Sequence, residues 1–391
     1  MKTSLDGPFR LARRAWPASA MLALALFSGC ATGQPAAPLQ LAWPEPPLPP
    51  RVKFTGIVQS QSDAAKSSSQ VFLDALLGPS KSPDAFEQPM GVAMSRDAKR
   101  LYVTDYAKPG VFVVDVETRR MSPFGTGTQG FKSPLGVAVD DQDRVYVVDS
   151  TARMIRVFDA RGTLLRNITD ERVERPTGIA VDATRRRVYV ADSASKTSDN
   201  HVVRVFDTDG AYVTAIGAAG NGQGQFAFPS YLAVDGRGNL YVSDTVNGRV
   251  QVFDPDGRYV KTIGQRGDAF GMFDKPKGVA LDSFGNVYVV DSSWSNVQIF
   301  NEQGQVLLFF GGRGRYPGLL FNPTGIAIDR NNQIYVADAF NGRVVIYGLV
   351  NTKAEDSAAS VPSQPGKGGD SSKAGGGYAA PAAQATSTSK R

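Results

Sequence analysis

Between residues 86 and 350 the chain is written in short apolar runs that stop at Asp, Asn or Gly. One stretch shows the scheme: "YLAVD" (231 to 235), "NLYVSD" (239 to 244), "RVQVFD" (249 to 254) and "RYVKTIG" (258 to 264). Gly236 to Gly238 and Pro255 to Gly257 stand between them. Runs of this length rich in Val, Tyr and Phe, punctuated by glycine and proline, predict β-strands joined by tight turns.

The scheme recurs six times. Pro89, Pro134, Pro176, Pro229, Pro276 and Pro323 open the copies at intervals of 45, 42, 53, 47 and 47 residues. Asp105, Asp149, Asp192, Asp244, Asp291 and Asp338 follow their prolines by 15 or 16 residues. Repeats of this period with several strands each predict the blades of a propeller. The expected fold is therefore all-β, a six-bladed β-propeller of four-stranded antiparallel blades over residues 51–350, with repeats from about 86. A fourth strand recurs as "TLLRNI", "AYVTAIG" and "QVLLFFG" but is missing after "RVVIYG" at 343–348. The stretch "RVKFTGI", within residues 51–58, is unclaimed and is expected to fill that place, closing the ring and removing an open sheet edge.

The motifs Pro-x-Gly-[IV]-Ala-[VIL]-Asp, Tyr-Val-x-Asp and Asp-x-x-Asn-x-Arg (Asp244, Asn247, Arg249; Asp338, Asn341, Arg343) carry a family resemblance. The chain resembles NHL-repeat proteins over about two thirds of its length, and the resemblance implies a propeller with a binding habit but no single ligand. Two departures stand out: Tyr231 replaces the glycine in the fourth copy, and the third carries a long insertion, "SASKTSDNH".

The ends read differently. Arg10, Arg13 and Arg14, an apolar run from Ala18 to Phe27, then Ser28, Gly29 and Cys30 have the order of a secretory signal, expected over residues 1–29. Leu26-Phe27-Ser28-Gly29-Cys30 resembles the lipobox of bacterial lipoproteins, although Phe27 stands where leucine is usual. The resemblance implies lipid attachment at Cys30, and Ala31 after it favours the outer membrane if the cell is Gram-negative. Residues 30–50 are proline-rich and predict an extended tether; 69–78 predict a short amphipathic helix; 351–391, poor in large apolar side chains, predict a disordered tail.

The net charge of +6 suggests a polyanion partner until it is located. Residues 86–350 hold 30 basic and 29 acidic side chains, and most of the excess lies in the termini, so the body predicts no nucleic-acid interface. With one Cys and one His, an intrachain disulfide is impossible and a Cys/His zinc site is excluded. Phosphate loops, nucleophile elbows and haem-attachment pairs are absent from the sequence. The six repeated Asp could suggest a carboxylate ring or a Ca²⁺ site. Their occurrence in every copy argues instead that each serves its own blade, accepting hydrogen bonds from its loop and pairing with a following Arg. No cofactor is expected. His201, beside Asp199 and Asn200, reads as a solvated loop residue.

Strand order puts the loops after Tyr-Val-x-Asp and those leading into Pro-x-Gly on one face. Residues there that the blade does not need are Tyr106, Tyr231, Lys277, Trp294, Arg313, Arg315 and Phe340, of the types that anchor interfaces. The reading is a membrane-anchored binding scaffold for a protein or glycan partner. The alternative is a Ca²⁺-dependent hydrolase or lyase of the lactonase kind, with carboxylates or amides converging on the axis.

Overall fold

The structure, a computed structural model, describes residues 41–60, 85–127, 130–195 and 198–351. The expected signal segment, Cys30, the helix at 69–78 and the tail from 352 lie outside the described residues. From Ala42 onward the described residues form one compact unit of six antiparallel sheets and one two-stranded parallel pairing. In blade 4 the strands are Pro229–Val234, Leu240–Asp244, Arg249–Phe253 and Tyr259–Ile263, hydrogen-bonded in sequence order. These bounds fall within two residues of the sequence expectation. The first strands of successive blades contact one another, and that of blade 6 returns to that of blade 1. The result is a closed six-bladed propeller.

Burial follows strand rank. Second strands such as Val145–Asp149 and Val287–Asp291 are buried at every residue, because both faces of each sheet are covered by the neighbouring blades. Fourth strands such as Tyr259–Ile263 alternate between half-buried and exposed, as an outer edge with one wet face must. The tyrosine of Tyr-Val-x-Asp is buried in each blade. In blades 2, 4, 5 and 6 its hydroxyl donates to the aspartate opening the first hairpin turn, as Tyr288 does to Asp282 at 3.0 Å. The apolar side chain three residues before each proline (Phe86, Phe131, Val173, Phe226, Phe273, Leu320) joins the core clusters, so each crossover is held down by its own wedge.

Near the axis the glycine of Pro-x-Gly is required by proximity. A Cβ on Gly178 would stand 2.2 Å from the carbonyl oxygen of Ser230 in the next blade, and one on Gly91 2.3 Å from that of Leu135. Hydroxyls stitch neighbouring blades at the same level: Thr104 donates to the Leu135 carbonyl at 2.6 Å, and Thr324 to that of Met90 at 2.9 Å.

The sixth sheet closes as expected. Val52–Val58 pairs antiparallel with Arg343–Leu349 and supplies the missing fourth strand. A difference appears just before it. Ala42–Trp43, assigned by composition to the tether, forms a fifth, outermost strand against Val52 and Lys53. The reason is the indole: Trp43 packs edge-on to Tyr347 with ring centroids 5.7 Å apart and lies 6.1 Å from Phe310, so this short segment buries enough apolar surface to dock.

Candidate functional site

Each blade runs from its proline toward one end of the propeller, turns, and returns to the repeated Asp. The loop after that Asp therefore lies beside the crossover leading into the proline. Backbone hydrogen bonds fix this: Tyr106 N donates to Gln88 O, Val246 N to Ala227 O, and Phe340 N to Phe321 O. Each proline pairs with its Asp in the sheet, so among the described residues these loops share one face.

The six Asp are fully buried beneath it. Each receives backbone N–H groups from the crossover of its own blade: Glu87 and Gln88 on Asp105, Lys132 and Ser133 on Asp149, Glu174 and Arg175 on Asp192, Ala227 on Asp244, Asp274 and Lys275 on Asp291, Phe321 on Asp338. In four blades an Arg completes the clamp: Arg156 at 3.1 Å, Arg204 at 2.8 Å, Arg249 at 2.9 Å and Arg343 at 2.7 Å. Among the described residues Asp105 and Asp291 show no such arginine and accept backbone N–H groups, with Lys108 or with Ser293 and Trp294 added. Burial is the leading cause that holds the carboxyls of both above the usual carboxylate range, against the hydrogen bonds that lower them. Among the described residues no three His, Cys, Asp or Glu side chains converge in a metal-binding group.

The seven loop-face candidates divide. Tyr106, Trp294 and Phe340 are open to solvent at 48%, 44% and 54% exposure. Their backbones are anchored, Trp294 N donating to Asp291 and Phe340 N to Phe321 O, while their side chains stand open to solvent, the Phe340 ring resting edge-on against Phe321 at 5.4 Å. Val246, not singled out from the sequence, is equally exposed in blade 4. The matching loops of blades 2 and 3 present Thr151 and Ser195 instead. The exposed apolar side chains thus form an arc over the consecutive blades 4, 5, 6 and 1. Arg313 lies in the blade 6 crossover with its guanidinium 5.1 Å over the Phe321 ring. Arg315 is exposed beside it, its carbonyl accepting from Arg343.

Tyr231 is a correction. It is not spare on the rim, because its hydroxyl is buried and donates across the axis to the Met90 carbonyl of blade 1 at 3.2 Å, next to Thr324 of blade 6. Burial drives its pKa far above the ordinary phenol range. It replaces the glycine because one blade can send a side chain into a space too narrow for six. His201 is the second correction: it is 6% exposed, opens the strand His201–Asp207 opposite Ser193, and packs against Phe228 with ring centroids 4.5 Å apart. Burial holds its pKa below the usual histidine value, opposed by the charge of Asp192. The polar insertion before it hid the continuation of the strand. Lys277 sits on the first strand of blade 5, at the mouth of the axis and inside the rim loops.

Comparison with known proteins agrees with this geometry. The family described as "DUF5128: 6-bladed beta-propeller" matches residues 169–241 and 275–361. A structural-genomics protein of unknown function from Bacteroides thetaiotaomicron superposes with a TM-score of 0.56 at 18% identity, covering 77% of this chain and 76% of that one. An auxiliary nutrient binding protein from the same organism gives 0.54 at 13% identity, covering 68% and 69%. A streptogramin B lyase gives 0.51 at 11% identity, covering 68% and 94%. At these identities the likeness is one of fold, and blades, ring closure and family profile converge on one statement: the chain is a six-bladed β-propeller.

Proposed function

We propose that the protein is an NHL-type, lipid-anchored binding scaffold of the bacterial cell envelope that engages a protein or glycan partner through its loop face. The observation that carries this reading is the arc of Val246, Trp294, Phe340 and Tyr106. Large apolar side chains are exposed there at positions the blade architecture leaves free, on rigid backbone and beside Arg313 and Arg315. Aromatics with arginine on a preorganised surface are the usual anchors of protein interfaces, and their contrast with Thr151 and Ser195 gives the face a direction. The shared fold of a protein named for auxiliary nutrient binding supports a binding role over a purely structural one. The reading needs no cofactor and no nucleic acid.

The test is capture from detergent-solubilised membranes, followed by affinity measurement with the captured partner. Trp294→Ala and Phe340→Ala are each expected to weaken binding by about 30-fold, corresponding to about 2 kcal/mol, with an unchanged melting temperature. Binding that survives both substitutions removes the arc from the interface.

A further inference from the structure

The residues following the six strand-opening prolines are Met90, Leu135, Thr177, Ser230, Lys277 and Thr324, so five of the six are uncharged. They ring the mouth of the axis on the loop face. The hydroxyl of Thr177 donates to the Pro229 carbonyl, that of Thr324 to Met90, and Ser230 lies 2.6 Å from the Thr245 hydroxyl. Lys277 departs from this pattern. Its carbonyl accepts from Ser243, but no hydrogen bond or ion pair of its ammonium exists among the described residues.

The surroundings offer it no counter-charge. The carboxylates of the adjoining loops in blades 4 and 5 are engaged elsewhere: Asp244 by Ala227 N, Asn247, Arg249 and Gln251, Asp291 by four backbone N–H groups, and Asp274 by Arg266 at 3.2 Å. Burial pushes the Lys277 ammonium below the ordinary lysine value, and the like charge of Lys275 pushes it the same way. One residue deeper along the neighbouring first strand, Tyr231 crosses the axis to Met90. A ligand group therefore reaches Lys277 from the loop face.

We propose that Lys277 receives a carboxylate of the bound partner protein at the axial mouth. This rests on the loop face being the binding face, and it names the chemistry that the centre of the face selects. An ammonium already half-stripped of water loses little more when a carboxylate replaces the rest, and the charge-assisted bond forms where screening is weak. A monocation matches a monoanion. A phosphate dianion would leave uncompensated charge in a partly desolvated site, with no guanidinium fork to share it.

The test uses the full-length protein with lysines reductively methylated by [13C]formaldehyde, the Lys277 resonance being identified by its loss in Lys277→Arg. Sodium acetate, acetamide and sodium phosphate are titrated at constant ionic strength. Acetate is expected to shift the Lys277 resonance saturably and to raise its titration midpoint, while the Lys275 resonance moves about tenfold less and acetamide moves neither. A Lys277 response no larger than that of Lys275 overturns the proposal, and so does saturation by phosphate about tenfold tighter than by acetate. These readouts are independent of the aromatic arc. Should Trp294→Ala bind its partner unchanged while acetate still titrates Lys277, the arc falls and the carboxylate site stands.

Discussion

Asp338 and Asp291 occupy equivalent places in blades 6 and 5, yet their neighbours give them different burdens. Asp338 faces Arg343, which is 2% exposed and also donates to the carbonyls of Arg315, Tyr316 and Leu319. Asp338→Asn leaves that guanidinium without its counter-charge, and the expected cost is about 3–5 kcal/mol, read as a fall in the urea midpoint. Asp291 has only backbone donors, so Asp291→Asn turns one amide N–H₂ against them at about 1–3 kcal/mol. Burial pushes both carboxyls upward, and at Asp338 the Arg343 charge opposes the push whereas at Asp291 only backbone N–H groups do. Burial raises the Asp291 carboxyl above its ordinary 3.8, so between that value and its folded value the native state holds more protons than the unfolded chain. Stability from this group is greatest near the lower limit and falls as pH rises through the window. Lowering the pH from 7 toward 4 is therefore expected to stabilise the wild-type protein relative to Asp291→Asn, measured as the difference between their urea midpoints at each pH. The clamp role of these residues was legible in the sequence through repetition. What was hidden was its division into blades with and without an arginine, because Asn-x-Arg spacing marks only two copies and Arg156 and Arg204 reach their partners from seven and twelve residues away.

At the scale of elements, the closing strand is the one most exposed to test. Val52, Ile57 and Val58 are buried, and the strand covers the open edge of Arg343–Leu349. Deleting residues 51–58 is expected to lower the melting temperature or to cause aggregation through that edge, while deleting 352–391 does neither. Equal melting of the two truncated proteins would show that the edge needs no cover. The strand was legible because a repeat lacked its last member and a matching run stood unused at the other end. Trp43 was not, since two residues carry no period and the prolines around them read as tether. The small parallel pairing of Ala218–Ala219 with Gln225–Phe226 escaped for a similar reason: its signal is the wedge residue three positions before each proline, visible only once the six crossovers are aligned.

For the whole molecule the ring sets what a residue can do, and this is where sequence reasoning was weakest. Tyr231 breaks the Pro-x-Gly pattern and so reads as a residue free for binding. Its use is apparent only when blade 1 stands across the axis from blade 4, a relation that no local window contains. Attachment belongs to the same scale. Under the proposed anchoring, Cys30→Ser is expected to move the protein from the membrane pellet to the supernatant at high salt, and a variant that still pellets would refute lipid attachment at this residue. Ring closure also has a dimension in time. Val52–Val58 is synthesised early and pairs with Arg343–Leu349, roughly 300 residues later in the chain. Through synthesis and, if the chain is exported, through export, Val52–Val58 waits without its long partner while five blades can assemble behind it, and the sixth is complete only when Arg343–Leu349 arrives. A chain that stops short of residue 343 thus loses the pairing that makes a circle of an arc, and its five blades keep an open edge on which aggregation can start.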